Sequence, residues 1–407
     1  MPTTLGSLRR LLMSPQLVDV TFAKRGFPAT PSAATERLEA IPQAVICGFE
    51  WGIDARNQWD VERRLDLVDA ELRGFAYEGA TMALTILDAT GRGHRTRDLL
   101  RGPGQSHIFL AYIGIGFAMA RLPRPLWKKV VPDLTGDPYY PTMSWLAVDG
   151  YGFDRAYFDT PRWVDAQRVP RPYSWGGSPD YFLRAVDQGI GRALWFICGG
   201  HAPSVATAVG RFASHRQADL WSGIGLAATF AGGCDAEGLA SLRSAAGEHG
   251  PQLALGAVFA VKARAYAGLV PEHTRIACSA LTETSVDKAV AIADDTVASA
   301  SHGMQPPYEI WRQRIRAHFT MELCPAIAIC RLSHRVGTAA QKKPSGMARR
   351  RLQMTTMPAK PKDSVQPHQS LWIAKPDPDG LWRFPDSSFG RQLACIHPDT
   401  TPSGDPS

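Results

Sequence analysis

The chain has 407 residues, 44% hydrophobic and 20% charged, enough to bury one large core or two ordinary ones in a globular protein. Its formal net charge is +7, but residues 331–407 hold twelve Lys/Arg against six Asp/Glu, which leaves about +1 for the rest. The basicity is a property of the C-terminal stretch, so the charge gives no ground for specific nucleic-acid binding by the body.

Residues 1–30 read as an N-terminal arm. A short basic helix is expected over Leu5–Leu12, followed by VDVTFAKRGFPAT, with Ser14-Pro15 and Pro28 as punctuation. The start, MPTTLGSLRRLLMSPQ, has two arginines and no long apolar run, so it does not read as a signal peptide. Residues 33–72 look helical in three pieces, Ala34–Ile41, Ala44–Ala55 and VERRLDLVDAEL. In the last piece Val61, Leu65, Leu67, Val68 and Leu72 recur with a period near 3.6.

Six apolar blocks follow: FAYEGATMALTILD, FLAYIGIGFAMARLP, SWLAVDGYGFDRAYF, DQGIGRALWF, DLWSGIGLAATFAGG and LGAVFAVKARAYAG. Aligned on Gly79, Gly116, Gly152, Gly191, Gly225 and Gly256, they step by 37, 36, 39, 34 and 31 residues. A period of this size marks helix-pair repeats. Glycine inside a helix costs about 1 kcal/mol against alanine, a cost that makes sense where a neighbouring helix comes close. The expected fold is all-α, a helix-pair, tetratricopeptide-like repeat solenoid over residues 31–330. Ile108–Ala120, the longest apolar run at 13 residues, falls short of the ~20 of a membrane-spanning helix; no transmembrane segment is expected.

Two aromatic- and proline-rich connections, residues 122–141 and 158–182, are too long for simple turns. They should fold over one face, as packing against the core or as a lid. After residue 320, MELCPAIAICRLSHRVG reads as one last helix. Residues 331–407 carry ten prolines and the triple arginine Arg349–Arg351, and read as a basic, largely disordered tail.

None of the seven cysteines forms a CxxC pair. Reduced thiols in a cytoplasmic protein are expected, with no metal site. There is no GxGxxG after a strand, no GxSxG, no HExxH and no P-loop, so no cofactor can be named. His107, His201, His215, His273 and His302 are scattered and read as structural.

Chemistry is sought instead where acids precede the small residues: Glu78-Gly79, Asp149-Gly150, Asp187-Gln188-Gly189 and Asp219–Gly223. One explanation is helix N-capping, with favourable interaction with the helix dipole. The other is that equivalent helices line one concave face. Then Glu78, Asp149, Asp219 and Arg192 become candidate acid–base groups. Trp145, Tyr151, Trp195, Arg216, Trp221, Lys262 and Arg264 become candidate substrate contacts, although core packing explains the tryptophans equally.

The ordered motifs TFAKRGF, RGFAYEGATMAL, YIGIGFAMARLP, WLAVDGYGFDRAYF, QGIGRALWF, DLWSGIGLAATFAGG and GAVFAVKARAYAG span about residues 5–320. They resemble a bacterial family, domain of unknown function 1702, found in enediyne natural-product gene clusters beside the iterative polyketide synthase. The resemblance implies a role in making or maturing the enediyne core, or in handling a linear polyene precursor. It supplies no catalytic residues. It departs at Asp154, where the family pattern would place histidine. The implied protein is a cytoplasmic accessory factor that acts on or binds a polyene or polyketide intermediate, with the synthase or a neighbouring accessory protein as possible partners. Two other readings stand beside it. A helical-repeat scaffold would present a groove to partner proteins without catalysis. A terpene-cyclase-like enzyme would stabilise carbocations on aromatic rings, although Asp294-Asp295 is not a DDxxD motif.

Overall fold

The computed structural model describes residues 4–28, 30–298 and 305–320. The last expected helix, the basic tail, His302, and Cys324, Cys330 and Cys395 lie outside the described residues. Within them the chain is all-helical, with no strand. In order the helices are α1 Thr4–Met13, α2 Phe22–Arg25, α3 Ala33–Asp54, α4 Gln58–Leu65, α5 Ala70–Thr90, α6 Arg95–Arg101, α7 Ile108–Arg121 and α8 Trp145–Phe158. They continue as α9 Pro179–Ile197, α10 Ala202–Gly210, α11 Ser214–Ala231, α12 Ala236–Ala246, α13 Gly250–Tyr266, α14 Glu272–Thr282, α15 Val286–Asp295 and α16 Pro307–Thr320. None is long and apolar enough to cross a membrane.

An inner layer is built from α3, α5, α7, α8, α9, α11 and α13, each packed against the next in that order. Neighbours run parallel: Gly48 of α3 faces Ala76 of α5, and one turn on, Gly52 faces Ala80. The repeated Gly-x-Gly explains how one helix serves two neighbours. Residues two apart on an α-helix point about 200° apart, so the pair opens opposite flanks. A Cβ on Gly114 would lie 2.1 Å from the Glu78 carbonyl of the preceding helix, and one on Gly116 would lie 2.2 Å from the Ala147 carbonyl of the following helix. The same division holds for Gly150 and Gly152, Gly189 and Gly191, and Gly223 and Gly225. Any side chain there would strike backbone, which cannot yield as a flexible side chain does.

The ends of this layer meet. The Phe75 ring of α5 packs edge-on against Phe230 of α11 at 5.3 Å. Arg264 Nη1 of α13 donates to the Glu71 carbonyl at 2.9 Å, and Arg37 Nε of α3 donates to the Ala231 carbonyl at 3.3 Å. The starts of the first inner helices thus touch the ends of the last, closing the layer into a ring. Return segments lie outside it. For most units these are helices (α4, α6, α10, α12, α14). After α7 and α8 they are the two long connections, whose Trp127, Trp163 and Trp175 are buried. Trp127 packs against Tyr151 of α8 at 5.0 Å and donates from Nε1 to the Met119 carbonyl at 3.0 Å. These connections are packed outer layer, the first of the two roles expected for them.

Three expectations change in detail. Residues 33–54 form one helix with Pro42 inside it. VERRLDLVDAEL is not one helix: α4 ends at Leu65, and Asp69 begins α5 by accepting from Glu71 N. The N-capping explanation of Asp149, Asp187 and Asp219 is overturned, because each lies inside its helix, where the backbone N–H groups already have intrahelical partners.

Candidate functional site

Of the residues that precede the first glycine of each block, Glu78 and Ile113 border a cavity, Asp149 pairs with Arg192 of α9 and Gln188 hydrogen-bonds Tyr308 of α16. The inner faces enclose two cavities. The first, about 530 Å³ of space partly continuous with solvent, lies between α5, α7, α8, α9, α11 and α13. The second, about 670 Å³ on the same measure, lies between α3, α5, α7, α8 and α9 and reaches Pro15 and Val20 of the arm. Both are lined mainly by apolar side chains, and the enclosed void within them amounts to about 40 Å³ and 70 Å³. Phe75, Glu78, Arg192 and Phe196 border both, so these four form a waist between them.

Glu78 is the chemically distinctive group of the waist. It is 2% exposed and makes no hydrogen bond or ion pair with any described residue. Burial pushes its carboxyl up to about 8, against the pull of Arg192 and with the push of Asp149. A carboxyl there is neutral at pH 7 and ionises just above it. Arg192 Nη1 donates to Asp149 Oδ1 in a buried ion pair, and its guanidinium lies 4.9 Å from the Phe153 ring centroid. Asp149 stands behind Arg192 and borders neither cavity. Its second oxygen makes no hydrogen bond of normal geometry, and burial raises its pKa even with Arg192 and Gln188 favouring the ionised form. Asp149 therefore positions Arg192 and does not reach a bound molecule.

The other candidates go elsewhere. Asp219 is held by Arg184 at 2.8 Å and Arg312 at 2.9 Å, away from both cavities. Arg216 pairs with Asp187 at 2.5 Å, and Lys262 with Asp294 at 2.6 Å. Arg264 is buried beside Phe230, 3.9 Å from its ring centroid, and burial pushes it down to about 10. Trp145 packs edge-on against Tyr181, and Trp195 Nε1 donates to the Gly232 carbonyl at 2.8 Å. Tyr151 faces the outer layer through Trp127 and Trp163. Trp221 is buried without bordering either cavity. Of the proposed set, the structure brings Glu78, Arg192 and Asp149 together. Asp154, the departure from the family pattern, borders the second cavity and pairs with Arg121 at 2.8 Å.

Sequence reasoning missed α16, which packs against α13. Its Tyr308, Trp311, Arg312 and Ile315 are fully buried. Arg312 Nη1 donates to Tyr181 Oη at 2.6 Å, and Glu309 meets Arg184 at 3.2 Å and Arg316 at 2.9 Å. Burial works to raise Glu309, but Arg312, Arg184 and Arg316 together hold it down at about 2. The short amphipathic run YEIWRQRI was the available signal. Among the described residues no cluster of metal-ligating side chains occurs. Cys47, Cys198, Cys234 and Cys278 are free thiols.

Residues 4–319 match the family model described as Protein of unknown function (DUF1702). Residues 362–407 match a second, described as Family of unknown function (DUF5987). No curated protein and no solved structure matches the chain.

Proposed function

We propose that this chain, which belongs to the DUF1702 family, encloses a linear polyene or polyketide intermediate in its helical ring and moves a proton on it through Glu78. The observation that carries the reading is the Glu78 carboxyl, unpartnered in an apolar waist, with a pKa of about 8. A general base works best when its pKa lies near the working pH. Ionised Glu78 takes a proton from the saturated carbon between a carbonyl and the nearest double bond and, now neutral, returns it at the far end of that double bond. The step is redox-neutral and needs no co-reactant. Arg192 stabilises the enolate oxygen between the two transfers. Its Nη2 and Nε make no hydrogen bond with the described residues. The same guanidinium repels a carbocation, which weighs against the terpene-cyclase-like alternative despite the aromatic walls.

The enediyne setting and the polyketide synthase as partner belong to this proposal through the motif resemblance, the cytoplasmic location through the expected reduced thiols, and the description of the fold as a tetratricopeptide-like solenoid through the period of the glycine blocks. The test is incubation with a linear conjugated polyenone in deuterated water, followed by mass spectrometry. Wild type should exchange hydrogen for deuterium next to and along the conjugated system, faster as pH rises through 8. Glu78→Gln should not. Equal exchange by both proteins would overturn the role of Glu78, and no exchange by either would favour the scaffold alternative.

A further inference from the structure

The two cavities differ in one respect. Among the described residues, the first has only Glu78 and Arg192 as charged residues on its wall, both at the waist. The second has these and a further pair, Arg121 and Asp154. The Arg121 side chain is 33% exposed and Asp154 3%, so Arg121 is the cation that reaches from the wall of the second cavity to solvent. Arginines and aspartates are interleaved behind it, with Asp19 and Asp159 close to Arg25. Arg121, Arg155 and Arg25 all act on Asp154. Arg25 and Arg121 lie within 5.3 Å and 5.1 Å of the Phe158 ring centroid, and Arg25 Nε is buried without a partner.

We infer that the two cavities form one channel for a single unbranched amphiphilic chain, whose anionic end rests at Arg121 and whose apolar end passes the waist into the first cavity. This rests on the proposed function for the role of Glu78 and adds the ligand class and its direction. The waist then meets the interior of the chain, not its end. Phe75 and Phe196 border both cavities, so the chain would pass between these two rings.

The test is displacement of the fluorescent polyene cis-parinaric acid by saturated unbranched carboxylic acids of increasing length and by the matching alcohols. Affinity should rise about fourfold per added methylene up to a cut-off length. Ala260→Trp, and the milder Ala227→Leu should the first misfold, both narrow the first cavity. They should move the cut-off to shorter chains while short chains bind as before. Arg121→Gln should erase a preference of about tenfold for acids over alcohols and leave the cut-off in place. A cut-off unmoved by both cavity variants overturns the single channel. So does binding of two short chains per protein with no gain from joining them. An acid preference that survives Arg121→Gln overturns the direction. Glu78→Gln separates this inference from the one beneath it: the length series should persist in that variant while deuterium exchange is lost.

Discussion

Two buried carboxylates in this ring lie at opposite ends of the scale. Glu309 on α16 is surrounded by Arg312, Arg184 and Arg316 and held at about 2. Glu78 at the waist is equally buried, has one arginine within range and shares it with Asp149, and is pushed up to about 8. Burial opposes ionisation at both. The number of arginines left over for each acid decides the outcome. The first arrangement is satisfied and fixes α16 in place; the second leaves a group that exchanges its proton near neutrality.

The largest expected effect comes from breaking the satisfied site. Arg312→Leu leaves Asp219 and Glu309 short of compensating charge in the interior, and truncating one partner of such a buried pair costs about 3–5 kcal/mol. Urea unfolding should show this as a lowered midpoint with α16 the first segment to exchange its amides.

Next comes the pH dependence of stability, which should carry opposite signs at the two acids. Glu309 is depressed from its ordinary 4.5, so its contribution is complete above about 4.5 and lost as pH falls through about 2. Glu78 is raised above 4.5, so the folded protein holds a proton that the unfolded chain releases. Its folding penalty is absent below about 4.5 and grows until pH passes about 8. The slope approaches about 1.4 kcal/mol per pH unit between these values. Glu78→Gln should flatten that limb and leave the acid limb unchanged; unfolding series from pH 2 to 9 on both proteins check it.

The smallest effect sharpens the arithmetic of partners. Asp149→Asn removes the acid that competes for Arg192, so Glu78 should titrate lower than in wild type, by about one unit. Carbon-13 NMR of the Glu78 carboxyl reads this directly. An unchanged titration would mean that burial alone sets its value.

Much of the architecture was legible because it is written in small residues. Gly114 and Gly116, or Gly189 and Gly191, make no sense in isolated helices, and their recurrence announced close neighbours. Part of the site followed from the same blocks, since the acids ahead of the small residues stand out as candidates. Of the candidates, Glu78 and Arg192 border the cavities, while Asp149 pairs with Arg192 behind them. The sequence misled at Asp149, Asp187 and Asp219, where an acid ahead of glycine imitates a cap although each sits in mid-helix. It was silent on Asp219's partners: Arg312 lies 93 residues away, in a helix whose short pattern gives no hint of where it docks. Ring closure was equally hidden, because Phe75–Phe230 and Arg264–Glu71 are contacts between units at the extremes of the series.

That closure constrains how such a protein can diversify. An open solenoid lengthens by duplicating a unit at little structural cost, since each unit answers only to its neighbours. Here an extra helix pair would pry Phe75 from Phe230 and pull Arg264 off the Glu71 carbonyl, unsealing the interior. Relatives that accommodate molecules of different girth should therefore keep the number of units and vary the side chains of the inner wall, at positions such as Ala227, Ala260 and Met82, while the paired glycines stay as they are.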